Sequence, residues 1–442
     1  MPVCIAAADD VQFLRDVAPI LTQRCIGCHG PKKAEGGYRV HTFENLLSAG
    51  DSETAPIVPG KPKESELFVR ISATDEFTRM PQQDDPLSPE QIDAVRRWIA
   101  EGAEFDGEDR ASSLKSLLPP RVHPNPPQSY RVPVPVLALA FSPDGTELAI
   151  GGYHEVTVWN PATGELVRRL GRLPQRIHSL TWSRDGKTLL VGGGSPGDYG
   201  ELALVDAASG ERLRVFGTFE DVVLGAAFNE NESRVAAGCA DRTVHVYETE
   251  TGKLSWESRT HADWVTAIAF SPDGRFLATS SRDMTVKVHD AATGTLFTTY
   301  TGHSKQYGQY AGRFAVYDVA FTPDEPTAIT AGEGTVIQIW DPVKAKAESG
   351  TAGDMELRFA KESHTRYIEH GHGDTVFKLA VKGGQVFSAS ADGVVTQHDL
   401  ASGKLLREYQ GHTDWVFAVD FHPETQRAAS GGYDGEVRIW NT

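Results

Sequence analysis

Cys25, Ile26, Gly27, Cys28 and His29 form a Cys-x-x-Cys-His pentad, the attachment signature of a c-type haem. Two thiols separated by two residues can add across the two haem vinyl groups. The imidazole directly after the second cysteine is then placed to reach the iron from the proximal side. With 4 cysteines and 15 histidines in 442 residues, composition alone predicts such a pentad on the order of 0.001 times per chain. A structural zinc site takes four ligands, usually in two close pairs, and the other cysteines, Cys4 and Cys239, are far apart in the chain. A thioredoxin-like redox pair sits at a strand-to-helix junction, whereas this one ends a helical stretch and runs into Gly30-Pro31. One covalent haem c on Cys25 and Cys28, with His29 as an axial iron ligand, is therefore the expected cofactor.

The candidate for the second axial position is Met80, one of only 4 methionines. It lies in the polar, proline-flanked loop Phe77-Thr78-Arg79-Met80-Pro81, where a thioether has no obvious core to fill. A His/Met pair raises the reduction potential relative to two histidines, because the soft sulfur favours ferrous iron. His41 is the competing ligand.

Two helices must hold these groups. Val11, Leu14, Val17, Ala18 and Leu21 recur at helical spacing just before the pentad. Ser88 is a natural N-cap, with Pro89 at the first helical position, Gln91 three residues after the cap and Gly102 as the stop. The closing helix has the apolar face Ile92, Val95, Trp98 and Ile99, and Phe13 or Val17 is expected against Trp98. These elements delimit a first domain over residues 9–107. Residues 1–8 read as a residual processing segment: Ala6-Ala7-Ala8 before Asp9-Asp10 looks like the end of a signal peptide, but Met1 to Ala8 has no basic start and no long apolar stretch.

The order Asp16-Val17-Ala18-Pro19-Ile20-Leu21, the pentad with Gly30, Gly36-Gly37-Tyr38-Arg39-Val40, Ile57-Val58-Pro59-Gly60, Arg79-Met80-Pro81, Leu87-Ser88-Pro89-Glu90-Gln91-Ile92 and Trp98-Ile99-Ala100-Glu101-Gly102-Ala103 resembles the planctomycete-type cytochrome c domain. The resemblance implies a small all-α, class I-like cytochrome fold. It also implies haem on Cys25 and Cys28, iron ligation by His29 and Met80, and a periplasmic or exported location.

Residues 108–128 read as a Pro-rich linker, part of a stretch with seven prolines between Pro119 and Pro135 that favours semi-rigid polyproline II. Beyond it the chain repeats. The aligned strand endings Phe141, Trp182, Phe228, Phe270, Phe321, Val381 and Phe421 fall 41, 46, 42, 51, 60 and 40 residues apart. A period near 40–45 with four short strands each is the signature of a Trp-Asp (WD) repeat propeller, here an all-β seven-bladed one over residues 129–442. The last repeat stops after its third strand, so Ser129 to Val132 is the expected fourth strand that closes the ring. His412, Ser430, Asp434 and Trp440 match the hydrogen-bonded set that stiffens such blades; His289 and His398 stand where tryptophan is expected in other repeats. Residues 303–314, with Tyr307, Tyr310, Arg313 and Phe314, and 342–374, with Met355, His364, Tyr367 and His370, interrupt the period and offer a binding surface on one face. Gly192-x-Gly194-x-x-Gly197 has Pro196 inside it and no helix after it, so it reads as a hairpin and not a dinucleotide site.

The net charge is −17, and phosphate backbones call for clustered Lys and Arg, so no nucleic-acid partner is expected. Residues 1–110 alone carry 12 Lys+Arg and 20 Asp+Glu, so a redox partner protein should present a basic or neutral face to the first domain. No run approaches the roughly 18 apolar residues of a transmembrane segment. The residues favour an electron carrier with a propeller as protein-docking platform, which the resemblance places in the periplasm, and demand no hydrolytic catalysis. Two alternatives stay open: an oxidoreductase with a second cofactor in the propeller, and a redox-linked sensor.

Overall fold

The computed structural model describes residues 10–31, 33–82, 84–118, 120–304, 314–334, 336–344, 365–369 and 371–442. Its contacts divide the chain into two units, Met1–Arg121 and Val122–Thr442.

The first unit is helical. The periodic stretch before the pentad forms a π-helical turn, Phe13–Val17, followed by α1, Ala18–Arg24. One continuous helix is interrupted because Pro19 has no N–H to donate back to residue 15, while Asp16 accepts from the Gln12 N–H at 2.9 Å and tightens the start. The remaining helices are α2 (Phe43–Leu46), α3 (Glu66–Ile71), α4 (Pro89–Ala100) and α5 (Leu114–Leu117). α4 begins as expected: the Ser88 hydroxyl accepts from the Gln91 N–H at 3.3 Å, and the Gln91 side chain accepts from the Ser88 N–H at 2.9 Å. Replacing Ser88 by alanine should lower the stability of this unit by about 1 kcal/mol, read as a lower urea midpoint of its helical signal.

α4 crosses the first turn through aromatic packing. Phe13 and Trp98, both buried, approach with ring centroids 5.1 Å apart, and Phe13 meets Phe43 edge-on at 4.9 Å. The Trp98 indole donates to the Glu104 carbonyl at 2.8 Å, so the one polar atom of a buried ring is satisfied.

The stretch read as a linker is shared between the units. Leu114 of α5 is fully buried in the helical core and its N–H donates to the His41 carbonyl at 2.8 Å. His123 is buried in the second unit, its Nε2 3.0 Å from Glu201. The prolines suppress regular structure here, yet apolar Leu114 and a buried His123–Glu201 pair give each end of the stretch its own anchor.

The second unit is built of antiparallel strands. Among the described residues it contains one seven-stranded sheet, four four-stranded sheets and one three-stranded sheet. The strand Glu165–Trp182 joins two repeats, pairing first with Tyr153–Asn160 and then with Thr188–Ser195. Strands Leu139–Phe141, Glu165–Trp182, Val223–Phe228, Val265–Phe270, Val316–Phe321, Val376–Lys382 and Val416–His422 carry the aligned endings, and each contacts the next. The last of them contacts the first. Here the Val136 N–H donates to the Gly432 carbonyl at 3.0 Å and the Phe141 N–H to Asp420 at 2.9 Å.

The expected closing strand at Ser129 to Val132 does not form: the final sheet holds three strands, and residues 129–132 have no ladder partner. The Tyr130 hydroxyl is instead bound to Glu155 and to the Tyr153 carbonyl, and Pro133, which lacks an N–H, sits against Gly435. The Gly192–Gly197 stretch is a hairpin, with Ser195 paired to Tyr199.

Candidate haem c site

α1 delivers the pentad. The Cys25 N–H donates to the Leu21 carbonyl at 3.0 Å, and the His29 N–H to the Cys25 carbonyl at 2.9 Å, so the pentad forms a hydrogen-bonded turn directly after the helix. Gly30 is required behind it, because a Cβ there would lie 2.4 Å from the Ile26 carbonyl oxygen.

The chain then doubles back through Gly36 and Gly37, both at positive φ (61° and 68°). A Cβ on Gly37 would also fall 2.2 Å from Asp51 Oδ1. This turn returns Tyr38 to the pentad: its carbonyl oxygen lies 3.3 Å from His29 Nδ1, and its ring meets the imidazole at 5.6 Å. A carbonyl can only accept, so Nδ1 carries the proton and Nε2 keeps its lone pair for a metal. The Tyr38 hydroxyl is anchored on the Leu46 carbonyl at 2.9 Å.

Cys25 is half-buried and Cys28 exposed. Cys25, Ile26, Tyr38 and Met80 all pack against one apolar cluster that includes Val17, Leu21, Trp98 and Ile99. Burial pushes the Cys25 thiol up to about 12, so uncombined it is protonated at neutral pH. Met80 is half-buried, and its N–H donates to the Arg70 carbonyl at 3.0 Å, tying the loop to the end of α3. His41 is also half-buried. Its Nδ1 has no hydrogen-bond partner, and burial, then the neighbouring Arg39 charge, holds its pKa below the usual imidazole range.

The sequence reading missed the Tyr38 carbonyl as the partner that orients His29. Gly36-Gly37 was its only signal, as a turn able to reverse the chain.

Elsewhere, among the described residues, three sets of polar side chains brace the sheets. His412 Nε2 lies 2.9 Å from Ser430 Oγ and Nδ1 3.2 Å from Asp434, while the Trp440 indole donates to Ser430. The histidine–hydroxyl–aspartate part of it recurs with His372, Ser388 and Asp392, and with His261, Thr279 and Asp283. Ser430, Ser388 and Thr279 are fully buried, so these Ser/His/Asp sets cannot meet a substrate. His412, Asp434 and Glu436 lie close enough to hold a cation, but both His412 nitrogens are taken up in this set. His289 and His398 sit fully buried in different sheets. Tyr307, Tyr310, Arg313, Met355, His364 and His370 lie outside the described residues, as do residues 1–8 with Cys4. No helix among the described residues is long and apolar enough to cross a membrane.

The first unit thus holds two thiols on one turn, an oriented imidazole, and a thioether on the apolar cluster that packs Cys25; the second is a repeat of antiparallel sheets. Family comparison gives the same division. Residues 25–84 match the family described as Planctomycete cytochrome C, and residues 210–248, 252–290, 294–341 and 403–441 match the WD domain, G-beta repeat. The chain is thus a fusion of a planctomycete cytochrome c domain with WD repeats. Such a domain implies haem c and electron transfer, and WD repeats imply protein interaction. Among curated proteins the chain is similar to Protein groucho of Drosophila melanogaster (28% identical over 132 residues, 28% of this chain and 15% of that protein). It is also similar to human Striatin (29% over 136 residues, 28% and 17%) and to THO complex subunit 6 of Drosophila melanogaster (44% over 57 residues, 13% and 16%). The matched stretches span about a sixth of the length of these relatives.

Proposed function

We propose that the chain is an exported, periplasmic electron carrier holding a single covalent haem c in its first unit, residues 9–107, with residues 129–442 forming one closed seven-bladed propeller that docks a protein partner. The observation that carries the haem assignment is the pentad turn with His29 Nδ1 held on the Tyr38 carbonyl, because outer partners of this kind fix the tautomer and raise the basicity of a metal-bound histidine. The donor set fits the group: two thiols for two vinyls, and one nitrogen and one sulfur for the axial positions.

When bound, haem c supplies one-electron exchange at iron. The protein's part is attachment, orientation and exclusion of water. Cys25 and Cys28 would hold the group through one thioether each, the thiol hydrogen passing to the other vinyl carbon, and this would remove the Cys25 ionisable group from an apolar site. His29 offers Nε2, and Met80 offers a soft sulfur that favours the reduced metal. The apolar wall of Val17, Leu21 and Ile99 lowers the local dielectric and favours the oxidation state with less net charge.

Closure of the propeller is supported by the unbroken succession of strand contacts and by the bonds from Val136 and Phe141 to the last repeat. A docking role is supported by an aromatic rim. Trp264, Trp415 and Tyr433 are roughly half exposed, and Phe377 and Phe417 pack beside Trp415. Trp264 and Trp415 directly precede the strands Val265–Phe270 and Val416–His422.

Expression with haem-attachment machinery should give one covalent haem per chain by pyridine haemochrome and iron analysis; two irons, or a second chromophore, would overturn the single-haem reading. Met80→Ala should abolish the weak near-infrared sulfur-to-iron band of the ferric protein while His41→Ala retains it. A wild-type ferric spectrum that lacks this band would exclude Met80 as the ligand and leave His41 as the candidate.

A further inference from the structure

Arg24 is the last residue of α1 and directly precedes Cys25, yet its guanidinium serves a segment far along the chain. Arg24 Nη2 donates to the Asp85 carbonyl at 2.6 Å and lies 3.2 Å from the Asp84 carboxylate. Arg79 directly precedes Met80, and its Nη2 donates to the Asp84 carbonyl at 3.1 Å. Two arginines, one beside the first thiol and one beside the thioether, are thus held by consecutive carbonyls of a single turn. In both, Nε is buried without an acceptor. Burying a donor in this way is unfavourable, and the terminal nitrogens offset it only while the Asp84–Asp85 turn stays in place.

From this geometry we infer that Arg24 is a positioning residue: it straps the Met80 loop to the helix that carries the pentad and so keeps the loop closed. The inference rests on the reading of Met80 as an axial ligand. The exposed Asp84 carboxylate adds little to the strap, because ion pairs in water are weak; the charge-assisted bond to the Asp85 carbonyl carries most of it. The start of the loop is tied separately, by the Met80 N–H on the Arg70 carbonyl. Loss of Arg24 therefore loosens the loop at its far end without freeing it entirely.

The test is a spectrophotometric titration of the ferric, haem-loaded full chain with imidazole, which can bind iron only when Met80 has left. The apparent dissociation constant is then the intrinsic one divided by the open fraction. Arg24→Gln should lower it about tenfold, the equivalent of one charge-assisted bond of about 1.4 kcal/mol. Arg24→Lys should recover part of the change, and Arg96→Gln, whose side chain pairs with Asp93 at 2.6 Å on α4, should change nothing. Should Arg24→Gln fail to accumulate with haem, Arg79→Gln probes the other half of the strap, with the same direction expected.

Met80→Ala separates the two readings. If it leaves the near-infrared band intact, the ligand assignment fails. If it removes the band but Arg24→Gln does not change imidazole affinity, the strap alone fails. In the Met80→Ala background, Arg24→Gln should have no effect on imidazole binding; an equal change in both backgrounds would show general loosening and overturn a role exerted through Met80.

Discussion

A chain with both Cys25→Ala and Cys28→Ala, expressed with haem-attachment machinery, should contain no haem that survives acid-acetone extraction or denaturing electrophoresis. On the proposed attachment each thiol would contribute one covalent bond. His29 and Met80 would remain, so the variant can still bind haem reversibly through the two axial groups. Single variants should retain one thioether and shift the haemochrome band, because one vinyl stays unsaturated. Cys25 is the more consequential of the two for packing, since it is half-buried against the apolar cluster while Cys28 faces solvent. Wild-type amounts of covalent haem in the double variant would place the attachment site elsewhere in the chain.

The second large effect is expected at Trp98. The ring is 1% exposed and packs on Phe13 at 5.1 Å and Phe43 at 6.2 Å, and its indole N–H is matched to the Glu104 carbonyl. Trp98→Ala should cost about 3–5 kcal/mol, combining lost burial with a cavity that the crossing of α4 over the Phe13 turn cannot close. It would also leave the Glu104 carbonyl without its donor. A small domain has only about 5–15 kcal/mol of net stability. The helical unit of the variant should therefore melt well below wild type, while the β-sheet unit, which has separate cores, keeps its own transition. Trp98→Phe retains most of the apolar contact and should lose markedly less. Differential scanning calorimetry resolves the two transitions; a drop shared equally by both would show that the units do not melt independently.

Much of this site could be read from the chain because its signals are local. The pentad, the Ser88–Gln91 capping box and the apolar stripe of α4 each depend on residues within one or two helical turns, where spacing alone dictates which groups meet. The strand endings from Phe141 to Phe421 were equally legible, because each repeat solves the same packing problem and presents a large apolar residue at the same place. Failures came where a local rule was overruled at long range. Residues 129–132 looked like a free strand, but the Tyr130 side chain is claimed by Glu155 and Tyr153. Residues 108–128 looked like a bare linker, but burial of Leu114 draws α5 into the helical core.

By itself, then, the sequence determined which groups are on offer, two thiols, an imidazole and a thioether at set spacings, and that a repeat of short antiparallel strands follows. Only the tertiary structure decided how those atoms are held. It placed the Tyr38 carbonyl on His29 Nδ1, brought Met80 to the cluster that packs Cys25, and set Arg24 against Asp84 and Asp85. It also showed that the buried Ser/His/Asp sets are braces between strands. The physical reason is that hydrogen bonds from backbone carbonyls carry no residue identity: any residue supplies a carbonyl, and only the path of the folded chain determines which one arrives.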